Sequence, residues 1–314
     1  MWRALLTLLV VTLSCVACAD PERDLVFDQV IATGGARIEV GITNDKRLAT
    51  RAQVLEALTT AAHTVTQFYG RFPVRKLHVA VVSRDGWDGI TGTTYGAANG
   101  HSFIRITLGA QLSPAALRNN WVMTHEFVHL ALPDVEQRHH WLEEGIATYV
   151  EPVARVQAGQ LPAAAIWRDM MSGMPNGRPG ADDRGLDATP TWGRTYWGGA
   201  LFCLLADVEI RRRTNLRHGL RDALIGIVNA GGNIESNWPL ARVLATADAA
   251  VGVPVLSELY AAHARQPVDV DLPALWARLG ITSANLANSE GMVHFDDGAP
   301  DATIRRAITS TARY

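Results

Sequence analysis

The stretch "MTHEFVHLAL", Met123 to Leu132, decides how this chain is interpreted. His125 and His129 are four residues apart, and Glu126 directly follows the first histidine. In an α-helix, residues i and i+4 lie on the same face, so the two imidazoles can bind one metal ion. Glu126 points to another side of the helix, where it can hold a water molecule and accept its proton. This division of roles is the H-E-x-x-H pattern of zinc hydrolases.

The surrounding sequence predicts that the motif lies on a partly buried helix spanning residues 113–132. Ser113 is a suitable N-cap, Pro114 suits the first helical position, and Pro133 is expected to end the helix. A metal-free core helix is the alternative, but each buried histidine would then need another hydrogen-bond partner. The apolar residues recur at helical spacing: Leu117, Trp121, Val128 and Ala131.

A third metal ligand is expected in the next segment, "HHWLEEGIATYVEP", residues 139–152. This segment predicts a second helix that ends at Pro152. Two histidines and one glutamate form a known zinc ligand set, which leaves the fourth position free for water. Glu143 and Glu144 are both candidates, and the residue types alone leave the choice open.

Other nearby histidines are weaker candidates. One further zinc pattern requires glycine at position 132 and histidine at 135, where this chain has Leu132 and Val135. His139 and His140 follow the polar turn "DVEQR" and are predicted to be solvated at the start of the second helix. His63 lies in a predicted amphipathic helix, where a role other than metal binding is expected.

The segment "WLEEGIATYVE", residues 141–151, resembles the W-L-N-E-G-x-A-x-x-x-E segment of the gluzincin metallopeptidases. These include the aminopeptidase N-like and glycyl aminopeptidase-like enzymes. The resemblance implies that Glu144, directly before the glycine, is the third zinc ligand, and Glu143 replaces the asparagine often found there. Thr148 and Glu151 follow Glu144 by four and seven residues on the same helix face, so both are candidates for supporting the ligands. A solvated helix end is the alternative for Glu151.

A second segment, "GRTYWGGALFCLLADVEIRRRT", residues 193–214, resembles the Y-x-x-G-A-L segment of both enzyme groups, most closely the glycyl aminopeptidase-like one. The resemblance implies that the Tyr196 hydroxyl donates to the oxyanion of the tetrahedral intermediate. Such a donor contributes most in a site that excludes water. The alternative is that Tyr196 packs beside Trp192 and Trp197. The rest of the helix has a core stripe: Ala200, Cys203, Leu204 and Val208.

The resemblance extends from Arg118 to Gly232 and implies a zincin, thermolysin-like fold of the α+β class. By analogy with zincins, the strand Ser102–Leu108 is expected to lie at the cleft edge and pair with extended substrate. The G-x-M-E-N element, with which aminopeptidase N-like enzymes hold a free amino terminus, is absent. The chain therefore leaves the choice between internal cleavage and aminopeptidase action open.

The N-terminal segment, residues 1–19, predicts a secretory signal peptide with Arg3 before an apolar run and an A-x-A cleavage site ending at Ala19. The apolar run is too short to span a membrane. Lipid attachment at Cys18 is a lesser alternative to cleavage after Ala19. We therefore expect an exported protein, periplasmic or extracellular, in which Cys203 remains as the only cysteine.

The rest of the sequence predicts how the chain is organised. A net charge of −2 without blocks of like charge favours neither nucleic acid nor an anionic membrane as a partner. We expect an N-terminal α+β lobe with a mixed sheet (20–132), a helical lobe (133–279) and a C-terminal tail (280–314). The expected elements are two strands around Gly34 and Gly35, a helix over 45–70, strands over 75–83 and 101–108, a glycine-rich loop over 84–100 and a cleft-rimming loop over 171–191.

Two functions are compatible with these patterns. The first is a secreted zinc-dependent metallopeptidase, in which His125, His129 and Glu144 hold Zn²⁺ and Glu126 activates the zinc-held water that attacks a peptide or protein substrate. Tyr196 assists at the oxyanion. The second is a non-catalytic cell-surface binding protein that retains a zincin fold. The complete set of expected catalytic residues favours the first. The oligomeric state is left open by the sequence.

Overall fold

A computed structural model describes residues 25–44, 50–96, 102–283 and 292–310. The predicted signal peptide, with Cys18 and the cleavage site after Ala19, lies outside the described residues. Within those described ranges, no helix is both long enough and apolar enough to cross a membrane.

A five-stranded mixed sheet forms the N-terminal part of the structure. Its strand order is β1-β2-β3-β5-β4. The three central strands run parallel to one another, and an antiparallel strand lies at each edge. The first two strands form a hairpin through Gly34 and Gly35, which both have positive φ, as a tight two-residue turn requires. The strands are β1 (Phe27–Thr33), β2 (Ala36–Ile42), β3 (Lys76–Arg84), β4 (Ile90–Tyr95) and β5 (Ser102–Gly109).

Helices form most of the remaining structure, and one continuous apolar core joins them to the sheet. Thr50 caps the start of the first helix through a capping box with Gln53, and Gly70 caps its end in the left-handed conformation. The helices are α1 (Arg51–Tyr69), α2 (Pro114–Arg118), α3 (Val122–His129), α4 (His140–Gln157), α5 (Ala163–Gly173), α6 (Gly199–Arg213), α7 (Leu220–Asn229), α8 (Leu240–Val251), α9 (Val255–His263) and α10 (Leu272–Leu279).

The C-terminal tail packs onto the helical part of the molecule. It forms the short strands β6 (Ile281–Ser283) and β7 (Val293–Phe295), followed by helix α11 (Ala302–Thr309). α11 contacts α4, α6 and α10, and its Ile308 side chain is fully buried. The backbone carbonyl of Ile308 accepts a hydrogen bond of 3.0 Å from Gln157 Nε2 of α4. The tail therefore contributes to the same core as the helices.

The strand β4 corrects two expectations. The segment 84–100, expected to be a loop, contains this strand, whose sequence "ITGTTY" is too polar to resemble a core strand. Its residues alternate between half-buried and exposed, as an edge strand allows. The expectation that Ser102–Leu108 lies at the cleft edge is also wrong. β5 is paired on both sides, with β3 and with β4, and β4 lies at the edge.

The helix expected over residues 113–132 is two helices. Ser113 caps the first, accepting the Ala116 amide at 3.1 Å, as expected. Asn119 to Trp121 separate the two helices, and Asn120 Oδ1 accepts the Met123 amide of the first turn of α3 at 3.1 Å. Helix α3 ends at His129, before the proline that was expected to end it. The H-E-x-x-H motif thus lies on a short helix of its own, α3.

The second helix is longer than its sequence suggested. Pro152 was expected to end it, yet α4 continues through this proline to Gln157. Proline lacks the N–H that would bond to the carbonyl of Thr148. Burial on both sides of the proline offsets that loss: Tyr149 and Val153 are each about 2% exposed. Tyr149 also donates a 2.8 Å hydrogen bond to Asp207 of α6.

Candidate metal centre and active site

Three side chains from two consecutive helices meet at the base of a cleft. His125 and His129 extend from one face of α3, as their spacing predicts, and Glu144 extends from α4. Glu144 Oε2 lies 3.2 Å from His125 Nε2 and 3.6 Å from His129 Nε2. One ligand atom from each residue lies within 4.8 Å of the other two. Among the histidine, cysteine and carboxylate side chains of the described residues, these three form a group close enough to share a metal ion.

The spacing of these atoms fits a zinc ion. Zinc binds histidine nitrogen and carboxylate oxygen at about 2.0–2.1 Å, so neighbouring ligand atoms in a tetrahedral site lie about 3.3 Å apart. The two distances to Glu144 Oε2, 3.2 Å and 3.6 Å, lie close to that value. Two imidazoles and one carboxylate also form a ligand set of catalytic zinc sites.

The protonation states suit metal binding. Burial, together with the nearby His125, lowers the pKa of His129 to about 3, so its imidazole is neutral at physiological pH. Burial opposes ionisation of Glu144, but the hydrogen bond with His125 and the proximity of His129 outweigh it and lower the Glu144 pKa. The cluster therefore combines a neutral imidazole with a carboxylate, the forms in which these side chains bind metals.

Glu143 lies beside the cluster but contacts a different histidine. Its Oε2 is 3.0 Å from His140 Nδ1, and His140 Nε2 lies 3.5 Å from the other oxygen of Glu144. The hydrogen bond with Glu143 raises the pKa of His140. Of the two glutamates that the sequence left open, the structure brings Glu144 to His125 and His129.

Glu126 lies beside the candidate metal ligands and is held by strand β4. The Thr94 hydroxyl donates to Glu126 Oε2 at 2.7 Å and lies 3.0 Å from the Glu126 carbonyl oxygen. Burial raises the pKa of Glu126, while the Thr94 hydrogen bond and His125 act in the opposite direction. No sequence pattern pointed to Thr94, because the segment that carries it is predicted to be a loop.

Tyr196 lines the same cleft. It lies in a π-helical turn, Gly193–Gly198, directly before α6. Such turns often occur at functional sites. Burial raises the Tyr196 pKa, and the charges of Glu144 and Glu126 raise it further. The Trp192 ring lies 6.3 Å away and is 63% exposed, so Tyr196 belongs to the cleft surface rather than to an aromatic core.

A buried ion pair anchors the π-helical turn. Arg194 Nε lies 2.7 Å from Asp183 Oδ2, and Arg194 Nη1 donates a 2.6 Å hydrogen bond to the Gly177 carbonyl. Both charged side chains are at most 6% exposed. Removing one partner of such a pair leaves an uncompensated buried charge, so the pair fixes the turn that presents Tyr196.

Helices α4 and α6 touch directly through two glycines next to the site. A Cβ atom on Gly145 would lie 2.3 Å from the carbonyl carbon and 2.4 Å from Cα of Gly199. A Cβ atom on Gly199 would lie 2.2 Å from the Trp141 carbonyl oxygen. Gly145 directly follows Glu144, and Gly199 follows the turn that carries Tyr196. This contact therefore determines how far apart Glu144 and Tyr196 lie.

His139 was expected to be solvated, and this is wrong. It is 2% exposed, and its Nδ1 lies 2.9 Å from Asp187 Oδ1. Trp141 Nε1 donates to the same oxygen at 2.8 Å, and the Tyr260 hydroxyl donates to Oδ2 at 2.7 Å. The segment 171–191, expected to rim the cleft, is absent from the cleft lining and instead connects α4 to α9 through Asp187.

The two candidate supporting residues on α4 are both buried. Glu151 is 7% exposed and pairs with Arg155 at 2.8 Å, so it does not form a solvated helix end. Burial raises the Glu151 pKa, whereas Arg155 and, more weakly, His125 lower it. Thr148 Oγ1 is buried and has no hydrogen-bond partner among the described residues.

The cleft above the metal ligands has a volume of about 510 Å³. Trp121 lies at its wall, 53% exposed, with its ring perpendicular to that of His125 at 5.3 Å. Residues 90–94 of strand β4 also form part of the wall. The lining comprises residues 90–94, Trp121, Val122, His125, Glu126, His129, Leu132, His140, Glu143, Glu144, Tyr196 and Ile234.

Comparison with known proteins shows the fold. No protein-family model matches this chain, and no curated protein matches its sequence. An aminopeptidase N family protein from Idiomarina loihiensis superimposes with a TM-score of 0.60 at 13% identity, covering 83% of this chain and 50% of that one. This chain therefore has the α+β fold expected for it, a mixed sheet followed by a helical lobe.

Two structures of an M1 zinc metallopeptidase from Deinococcus radiodurans are also similar. One has a TM-score of 0.47 at 15% identity and covers 77% of this chain and 54% of that one. The other, a mutant bound to a Tyr-Ser-Ala substrate, has a TM-score of 0.48 at 14% identity, with coverages of 77% and 52%. The chain spans about half the length of the solved structures it matches.

Proposed function

We propose that this protein is an exported zinc-dependent metallopeptidase of the gluzincin class, which hydrolyses peptide bonds. One observation carries the proposal: the three ligand atoms of His125, His129 and Glu144 meet in the cleft that Glu126 and Tyr196 also line. The sequence separates Tyr196 from the motif helix, and the fold brings them together.

Each residue has a defined role in this proposal. His125, His129 and Glu144 would hold Zn²⁺, which when bound lowers the pKa of a coordinated water and polarises a carbonyl. Glu126 accepts a proton from the attacking water and later passes it to the leaving amine. Tyr196 donates its hydroxyl hydrogen to the carbonyl oxygen of the scissile bond as negative charge develops there.

The position of β4 supports an extended peptide as the substrate. β4 is an edge strand that pairs with β5 on one side, and residues 90–94 line the cleft. A free strand edge recognises an extended chain through its backbone N–H and C=O groups. We therefore assign the substrate-pairing role, expected at first for Ser102–Leu108, to the strand Ile90–Tyr95.

The proposal that the protein is exported rests on the predicted signal peptide, residues 1–19, with Cys18 as the site of a lipid anchor if the chain is lipidated. N-terminal sequencing and mass spectrometry of the protein from its native host would distinguish cleavage after Ala19 from lipid attachment at Cys18. A chain starting at Asp20 supports cleavage after Ala19, whereas a lipid-modified Cys18 at the N-terminus supports anchoring.

The experiment that tests the function combines metal analysis with a cleavage assay. The mature protein should contain one zinc per chain and cleave fluorescently labelled, denatured casein, and a chelator should abolish cleavage. The Glu126→Gln variant should keep its zinc and lose turnover, because an amide cannot accept the proton. A zinc-loaded wild-type protein that is fully folded by circular dichroism and cleaves neither casein nor any member of a peptide library would instead support a non-catalytic binding protein.

A further inference from the structure

Two residues of the edge strand β4 contact Glu126, although nothing in the motif points to them. Thr94 Oγ1 lies 2.7 Å from Glu126 Oε2, and the two groups are hydrogen-bonded. Gly92, two residues earlier, lies on the same face of the strand. An added Cβ on Gly92 would lie 2.3 Å from Glu126 Cγ and 2.7 Å from both Cδ and Oε1. The Glu126 side chain therefore lies against β4 at Gly92 and is bonded to β4 at Thr94.

We propose that Gly92 and Thr94 are positioning residues, which fix the side-chain conformation of Glu126 for its role as the general base. The proposal rests on the proposed peptidase function, because it assigns a catalytic purpose to the contact. Thr94 acts by attraction, since its hydroxyl holds Oε2. Gly92 contributes by having no side chain, since any Cβ atom there would overlap with Glu126 Cγ.

The arrangement leaves one carboxylate oxygen for catalysis. Thr94 bonds to Oε2, whereas Oε1 accepts no hydrogen bond from the described residues. A general base must lie within hydrogen-bond reach of the proton that it removes, and small errors in its position are costly. Because β4 also forms a wall of the cleft, the strand proposed to pair with substrate is the strand that orients the base.

Glycine is required at position 92 because there is no room for a Cβ atom, and not because of its backbone conformation. The φ angle of Gly92 is not positive, so alanine can adopt its backbone conformation. The three atoms nearest to the added Cβ all belong to Glu126. Gly92→Ala should therefore destabilise the wild-type protein but not a Glu126→Ala variant, in which those atoms are missing.

This double-mutant comparison tests the contact without using activity. Gly92→Ala should lower the melting temperature by at least about 2 °C in the wild-type background. In the Glu126→Ala background the same change should lower it by clearly less. Equal shifts in the two backgrounds would show that Gly92 and Glu126 are not coupled and would overturn the proposal.

Kinetics with a quenched fluorescent peptide, selected from a library digest, test the catalytic purpose. Thr94→Val removes the hydroxyl at nearly constant volume and should lower kcat by about tenfold or more, with KM nearly unchanged and zinc fully bound. Thr94→Ser restores a hydroxyl and should recover most of kcat. A Thr94→Val variant with wild-type kcat, or a Thr94→Ser variant as slow as Thr94→Val, would overturn the positioning role.

Thr64→Val is the matched control. Thr64 is 2% exposed, and its hydroxyl donates to the Thr60 carbonyl at 2.8 Å within α1, outside the cleft. This variant should change stability and leave kcat alone. Failure of the proposed function gives a different result. An active, zinc-loaded Glu126→Gln variant would show that Glu126 is not the general base, while the melting experiment would still show coupling between Gly92 and Glu126.

Discussion

Gly145→Ala should impair both stability and turnover, although it changes neither a ligand nor a catalytic group. The added methyl group would lie 2.3 Å from the carbonyl carbon of Gly199, where ordinary contacts begin at 3.4 Å. Helices α4 and α6 must therefore separate by about 1 Å, since backbone atoms cannot rotate away as a flexible side chain can. Glu144 lies on one of these helices, and Tyr196 lies in the turn before the other.

Two opposing contributions determine the size of the effect. Alanine is favoured over glycine in a helix interior by about 1 kcal/mol. Overpacking in a dense core typically costs about 1–3 kcal/mol. We therefore expect a net loss of up to about 2 kcal/mol in the free energy of unfolding. A displacement of this size in a catalytic site can cost about a hundredfold in rate, so kcat should fall even in the folded protein.

The assay is urea unfolding followed by circular dichroism, with kcat measured on zinc-loaded samples. Gly180→Ala is the matched control, because its Cβ would meet no atom within 4 Å and its φ is not positive. It should be neutral or slightly stabilising. A Gly145→Ala variant with wild-type stability and wild-type kcat would show that the helices adjust freely and that the glycine contact does not set the site.

Three further outcomes are expected. Glu144→Ala should lower zinc affinity sharply in a metal titration while Glu143→Ala keeps the metal; the reverse result would reassign the ligand. Tyr196→Phe should lower kcat by about 10²–10³-fold with a modest change in KM; wild-type kcat with zinc fully bound would remove this residue from the mechanism. Burial and the Asp187 hydrogen bond raise the pKa of Tyr260 to about 12 from 10. The stabilisation that the Tyr260 hydroxyl contributes should therefore be complete below pH 10 and be lost towards pH 12, and Tyr260→Phe should show a smaller decline in alkaline unfolding titrations.

Local signals in the sequence were sufficient for much of the fold. Some structural signals depend only on neighbouring residues. Examples are the turn glycines of the first hairpin, the helix cap at Ser113 and the helix end at Gly70. The core stripe of α6, including Cys203 and Leu204, follows from helical periodicity and is buried. The spacing of His125 and His129 likewise places both side chains on one face of a helix.

The missed features depend on partners far along the chain. His139 resembles a surface residue because its partner, Asp187, lies 48 residues away in an irregular segment. β4 is polar because one face of the strand is exposed and the other contacts a carboxylate, so its sequence lacks a core pattern. The order of strands in the sheet is also invisible in a single sequence, and it decided that β4 rather than β5 borders the cleft.

The proposed ligands all lie between residues 125 and 144, whereas Thr94 and Tyr196 lie well outside that interval. Contacts between residues close in sequence need little ordering of the remaining chain. A partly folded chain in which only α3 and α4 have paired could therefore already bind zinc. Zinc content would then report only whether α3 and α4 have paired. Turnover would report whether the whole molecule has folded. If the protein is the proposed zinc peptidase, a preparation fully loaded with metal would still contain inactive, partly folded molecules, and specific activity per zinc would be the better measure of correct folding.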